Sequence, residues 1–190
     1  MKRIAHLLAG MALLTACSNE QSVTGAMAGF DARASVTETA GPAINKDLAA
    51  LRQATAKFHT LQRAIDAEWS AQITDCMVDP GGAGGMGFHY GNVGLIDGSV
   101  QVDRPELLLY EPEKNGEFTL VAVEYIIPYT FHGRDAEPPR LFGREFSQND
   151  VFQLWGLHAW VWKENPSGMF ASWNPKVTCE NAASVSKMSH

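Results

Sequence analysis

The sequence predicts an α+β domain in which one amphipathic N-terminal helix packs on a mainly antiparallel β-sheet and a disulfide closes the unit. Three observations carry that expectation: an apolar stripe at steps of three and four from Asn45 to Trp69, apolar strands around an Asn115-Gly116 turn, and two cysteines, Cys76 and Cys179, that bracket the strands. The chain has 190 residues, 45% of them hydrophobic, with five tryptophans, enough for one buried core plus extensions. Its formal net charge of −6 lacks the basic footprint of a nucleic-acid binder.

Lys2 and Arg3 precede an apolar stretch from Ile4 to Leu14, the layout of a secretory signal peptide. The stretch is shorter than the roughly 20 apolar residues a membrane-spanning helix needs. It ends in Leu14-Thr15-Ala16-Cys17, which resembles the lipobox of bacterial lipoproteins. The resemblance implies cleavage before Cys17, a diacylglycerol on its sulfur and an acyl chain on its amine. Several chains make a lasting membrane anchor where one is marginal. Ser18 in place of an aspartate implies, by the same resemblance, the outer membrane facing the periplasm if the cell is Gram-negative. The expected organisation is a signal peptide over 1–16, a lipidated flexible tether over 17–43, a globular domain over 44–180 and a disordered tail over 181–190. The tether expectation rests on a composition rich in Ser, Thr, Ala and Gly.

With Cys17 lipidated, Cys76 and Cys179 remain as an even pair in an exported chain, where disulfides form and persist. They lack the Cys-x-x-Cys spacing of redox and metal-binding pairs.

From Asn45, an expected N-cap, the residues Leu48, Leu51, Ala54, Phe58, Leu61, Ile65 and Trp69 define one face of a helix. Arg52, Gln53, Lys57, Gln62, Arg63 and Asp66 form its solvated face. Residues 85–90 and Leu107–Tyr110 read as strands, the second bounded by Pro105 and Pro112. Asn115-Gly116 predicts a two-residue type I′ hairpin into a strand over Phe118–Ile127, opposing Leu109 to Ala122, Leu108 to Val123 and Leu107 to Glu124. Period two then puts Leu120, Ala122 and Ile126 on one face and Val121, Val123, Tyr125 and Ile127 on the other, a central strand covered on both sides. Residues 128–150 read as a long connection. Leu157–Lys163 reads as a strand with His158, Trp160 and Trp162 on one face, and Met169–Trp173 as a final short strand.

The phrases Gly85-Met86-Gly87-Phe88-His89-Tyr90, Leu120-Val121-Ala122-Val123-Glu124-Tyr125, Leu157-His158-Ala159-Trp160 and Trp173-Asn174-Pro175-Lys176-Val177-Thr178-Cys179, after the helical phrase Ala54-Thr55-Ala56-Lys57-Phe58, together resemble a family of bacterial exported proteins with no assigned activity. The resemblance covers about residues 50–180 and implies a shared fold with two framework cysteines, but no reaction. The Glu-Tyr-Ile-Ile phrase and the strand-borne histidines are also similar to plant oil-body-associated proteins.

His89, Glu124 and His158 are polar groups inside otherwise apolar strands, and buried polar groups need partners. Two readings follow: imidazole and carboxylate ligands for zinc or another first-row transition metal, or core histidines satisfied by the glutamate. Tyr90, Tyr125, His132 and Trp160 are candidate ligand contacts, with core aromatics as the plainer alternative. Gly-x-Ser-x-Gly and phosphate-loop motifs are absent. The expected function is that of an envelope lipoprotein binding a small ligand or another envelope component. The alternative is a metal-dependent enzyme using His89, Glu124 and His158.

Overall fold

The computed structural model describes residues 41–183, so the expected signal peptide, Cys17, the expected tether up to residue 40 and the expected tail beyond 183 lie outside the described residues. Helix α1 (Pro42–Thr55) starts with Gly41 at its N-cap and Pro42 in its first turn. Proline suits that place because its φ is already helical and the missing N–H is one the first turn leaves unpaired. Asn45 is therefore inside the helix, its N–H donating to Gly41 O at 3.0 Å, and does not cap it.

The single expected helix is three pieces: α1, a 3₁₀ turn over Ala56–His59, and α2 (Leu61–Asp66). At the first break the buried Thr55 donates its hydroxyl to Leu51 O at 2.8 Å, and Thr60 is extended, with φ −92° and ψ 122°. Short hydroxyl side chains of this kind compete with helical backbone bonds. The apolar stripe holds in part across the break: Leu48, Leu51, Phe58 and Trp69 are buried on the sheet, whereas Ala54, Leu61 and Ile65 are half-buried and Ala64, outside the expected stripe, is fully buried.

The sheet has six antiparallel strands. They are β1 (Ala71–Val78), β2 (Gly85–Gly91), β3 (Leu107–Pro112), β4 (Phe118–Pro128), β7 (Ser147–Asn149) and β8 (Leu154–Ala159). Their spatial order is β1-β2-β3-β4-β8-β7, and β5 (Arg140–Leu141) with β6 (Arg144–Glu145) forms a separate small hairpin in the long connection. The edge strand β7 is polar, whereas five of the eight residues of β1 are apolar but none is fully buried and they do not alternate, so neither edge carries a clean strand pattern in sequence.

Leu107, Leu108 and Leu109 pair with Glu124, Val123 and Ala122, as the hairpin reading predicts. The turn itself differs. Glu113 N–H donates to Glu117 O at 2.8 Å and Gly116 N–H to Glu113 O at 3.0 Å. Of the two central residues, only Gly116 has positive φ, at 82°. The loop is thus one residue longer than a type I′ turn, and Tyr110, Glu111 and Pro112 pair one position off, with Leu120, Thr119 and Phe118. A bulge between Leu109 and Tyr110, with Val121 as the extra residue on β4, restores the expected register further along.

The bulge also exchanges two side chains. Leu120 joins Val123, Tyr125 and Ile127 on the helix-covered face, and Val121 joins Ala122 and Ile126 on the opposite one. Both faces of β4 are covered, as expected for a central strand, and Leu120–Ile127 is buried throughout.

The second face is covered by the C-terminal segment. Met169–Trp173 is not a strand: the chain leaves β8 after Ala159 and turns beneath it. Trp160 N–H donates to Met169 O at 2.9 Å, and Trp160 Nε1 donates to Ala171 O at 2.6 Å. Because β8 ends there, period two fails beyond it. Trp160 packs on the second face, whereas Trp162 packs toward the helix, its Nε1 donating to Thr55 Oγ1 at 3.1 Å. Asn174 bridges to Gly85, Val177 is buried against the second face, and the Cys76–Cys179 disulfide, with Cα atoms 5.7 Å apart, ties this segment to β1.

Candidate metal centre

His89, Glu124 and His158 come from β2, β4 and β8 and converge on the second face of the sheet. Glu124 and His158 are directly opposed across β4 and β8. His89 reaches them from the far side of β3, where it opposes Leu109, which in turn opposes Ala122. The three residues are 3%, 8% and 7% exposed, respectively for His89, Glu124 and His158, and so are shut off from bulk water.

His89 Nε2 lies 3.5 Å from Glu124 Oε2, and His158 Nε2 lies 3.8 Å from Glu124 Oε1. One donor atom from each residue falls within 4.8 Å of the other two. These separations exceed hydrogen-bonding distance, so the groups face one another without bonding. His158 Nε2 is a buried atom with no hydrogen-bond partner, a costly condition in a protein interior. His89 is held differently, with its Nδ1 2.8 Å from Thr74 Oγ1. The imidazole of His158 is nearly parallel to the indole of Trp160, centroids 6.2 Å apart and planes 11° apart.

Burial sets the protonation of the trio. It pushes Glu124 up to about 8, and His89 down to about 4 against a smaller opposing effect of the Gly87 backbone. Burial, with the neighbouring His89, pushes His158 down to about 3. At neutral pH the metal-free cluster is therefore a protonated carboxyl between two neutral imidazoles, and the close approaches are not ion pairs. Two unprotonated imidazole nitrogens are in the form that binds a cation, and the carboxyl proton is the one a metal displaces.

The donor set fits a first-row transition metal. Two imidazoles and one carboxylate are the three protein ligands of one class of zinc site that keeps a position open, with bonds near 2.0–2.2 Å and hence ligand atoms about 3.3 Å apart. The 3.5 Å and 3.8 Å approaches are to different oxygens, Oε2 and Oε1, and with one ligand atom from each residue the separations are within 4.8 Å, so the side chains must close by up to about 1.5 Å to reach that spacing. Gly156, beside His158's strand position on β8, leaves the room the carboxylate occupies: a Cβ there would stand 2.9 Å from Glu124 Oε1.

The other candidate contacts do not assemble into one site. Trp160 adjoins the trio, but Tyr90 and Tyr125 belong to the helix-side core. Their hydroxyls donate to Gln72 Oε1 at 3.3 Å and Val102 O at 2.6 Å. His132 sits in the long connection, its Nε2 2.7 Å from Glu137 O and its ring edge-on to Trp155. An open cleft of about 470 Å³ between α2 and the β3–β4 turn, lined by His59, Gln62, Ile65, Glu117, Phe118 and Thr119 among others, contains none of the expected residues. Thr74 and Gly156 carry no motif in sequence; their proximity to the trio exists only once the strands are paired. Among the described residues, no helix is long and apolar enough to cross a membrane. No family model matches the chain, and no curated protein or solved structure matches it either.

Proposed function

We propose that this chain is a membrane-tethered lipoprotein whose domain binds one transition-metal ion, with zinc the best fit, through His89 Nε2, a Glu124 carboxylate oxygen and His158 Nε2. The observation that carries the reading is the buried, unpartnered Nε2 of His158 facing Glu124 across 3.8 Å. A core histidine satisfied by the glutamate would close that gap to a hydrogen bond, whereas a shared cation accounts for three donors that converge without bonding. Bound there, the metal would supply Lewis acidity at its remaining position, for a small ligand or a water. The tether is supported by Leu14-Thr15-Ala16-Cys17 behind an apolar leader, and it places the site in the cell envelope.

Metal analysis of the purified chain after zinc reconstitution and exhaustive dialysis tests the reading. The expected result is stoichiometric zinc in the wild type, lost in both His89→Ala and His158→Ala. A wild-type chain that retains no metal sinks it.

A further inference from the structure

The edge strand β1 meets β2 through an irregular register. Ala71 and Gln72 pair with Gly91 and Tyr90, but the next pair is Thr74 with His89, leaving Ile73 as an extra residue. Continued without the bulge, the ladder would set Ile73, an apolar side chain, opposite His89. Instead Ile73 is accommodated against Gly91, where a Cβ would stand 2.9 Å from its Cγ1, and the hydroxyl of Thr74 arrives 2.8 Å from His89 Nδ1. A bulge leaves a residue unpaired and bends the strand, and such irregularities recur where a side chain must be re-aimed. Here the re-aimed group is the hydroxyl nearest the trio's best-held histidine.

The two ring nitrogens of His89 have separate tasks. Nε2 faces Glu124 at 3.5 Å, so binding a cation there requires its lone pair and places the ring proton on Nδ1. With the proton there, Nδ1–H can donate to Thr74 Oγ1 2.8 Å away; a hydroxyl accepts as readily as it donates, so the contact holds the ring plane while the cation at Nε2 sets the tautomer. His158 turns its unpartnered Nε2 toward Glu124, and its ring runs nearly parallel to that of Trp160. On the metal reading, which this inference rests on, we propose that Thr74 is the outer positioning residue of the centre, delivered by the Ile73 bulge to hold His89 with Nε2 as the metal-binding nitrogen. The bulge itself is then part of the metal site's architecture.

The test compares zinc affinity, by competition with a chromophoric chelator, and the visible spectrum of the Co²⁺ form, for the full chain and its Thr74→Val and Thr74→Ser variants. Valine keeps the shape and removes the hydroxyl, and serine keeps the hydroxyl and removes a methyl. The expected result is affinity reduced by about 10- to 100-fold in Thr74→Val, the usual cost of losing an outer-shell partner, with an altered Co²⁺ spectrum, and near-wild-type values in Thr74→Ser. Thermal unfolding of the metal-free forms runs alongside, and should Thr74→Val fail to fold, Thr74→Ala takes its place with the same expectation. If Thr74→Val binds zinc as the wild type does, or if serine does not restore binding, the positioning role is wrong and the centre stands. A wild type that binds no zinc overturns both.

Discussion

Replacing Glu124 by glutamine separates the contribution of this carboxyl to folding from its contribution to metal binding. The folded, metal-free chain holds the Glu124 proton up to about pH 8, whereas the group's ordinary value is 4.5. Between those values the unfolded chain has released a proton that the folded chain keeps, so stability falls as pH rises, by about 1.4 kcal/mol per pH unit. Across the whole window that is roughly 5 kcal/mol, an upper bound because a buried site relaxes and admits water. Glutamine cannot ionise. In chelator-treated protein, Glu124→Gln is expected to match the wild type near pH 4.5 and to be several kcal/mol more stable at pH 8. The assay is urea unfolding followed by tryptophan fluorescence at half-unit intervals from pH 4.5 to 8.5. Burial also pushes Glu106 up to about 8, so the variant keeps part of the slope, close to half of it if the two carboxyls contribute alike. His89 and His158, pushed down to about 4 and 3, act in the opposite sense in both proteins: they stay neutral in the folded state while the unfolded histidines protonate below 6.5, which offsets the carboxyls there. The fall in wild-type stability therefore emerges above pH 6.5, and below it the two proteins differ only by the Glu124 contribution. The same variant should lose zinc binding. Parallel stability profiles for the two proteins would refute the claim that Glu124 is buried and protonated, and undiminished zinc affinity would refute its role as a ligand.

Three further outcomes follow from other parts of the chain. Gly156→Ala puts a Cβ within 2.9 Å of Glu124 Oε1, so zinc affinity should fall by at least tenfold while the far-UV circular dichroism is unchanged; equal affinity would show that the carboxylate can bind from elsewhere. Cys76→Ser with Cys179→Ser opens a link between residues 103 positions apart, for which loop-closure entropy predicts a loss of about 4–5 kcal/mol, read as a lower urea midpoint. Cys17→Ser should abolish incorporation of labelled palmitate and leave uncleaved precursor or soluble product, and labelling that persists would remove the lipid anchor from the reading.

Particular residues show how far the sequence is legible. The stripe from Leu48 to Trp69 marked the surface that covers the sheet because burial on one side imposes a helical period whether or not the helix is continuous. It could not show the break: the bond from Thr55 back to Leu51 is local, but the Trp162 indole that donates to the same hydroxyl comes from 107 residues away. The hairpin reading opposed Glu124 to Leu107, and the structure does so, although by compensation: a loop one residue longer than the two-residue turn, corrected by the Val121 bulge. Bulges have no local signature strong enough to read, and each one exchanges faces for the residues beside it. Leu120, Val121 and Trp162 were assigned to the wrong side for this class of reason, a slip in register or an early strand end.

By itself the sequence determined that His89, Glu124 and His158 would be polar groups inside apolar strands, because hydrophobic pattern and strand period depend on neighbours along the chain. It also marked Cys76 and Cys179 as a pair, and the structure joins them. Only the tertiary structure decided that the three donors meet within 4.8 Å, that Tyr90 and Tyr125 face away from them, and that Thr74 stands on His89. Those relations depend on strand order and register across separate strands, and a single bulge changes them. Burial, and with it the neutral state of the trio, is likewise a property of the packed sheet and the segment stapled over it.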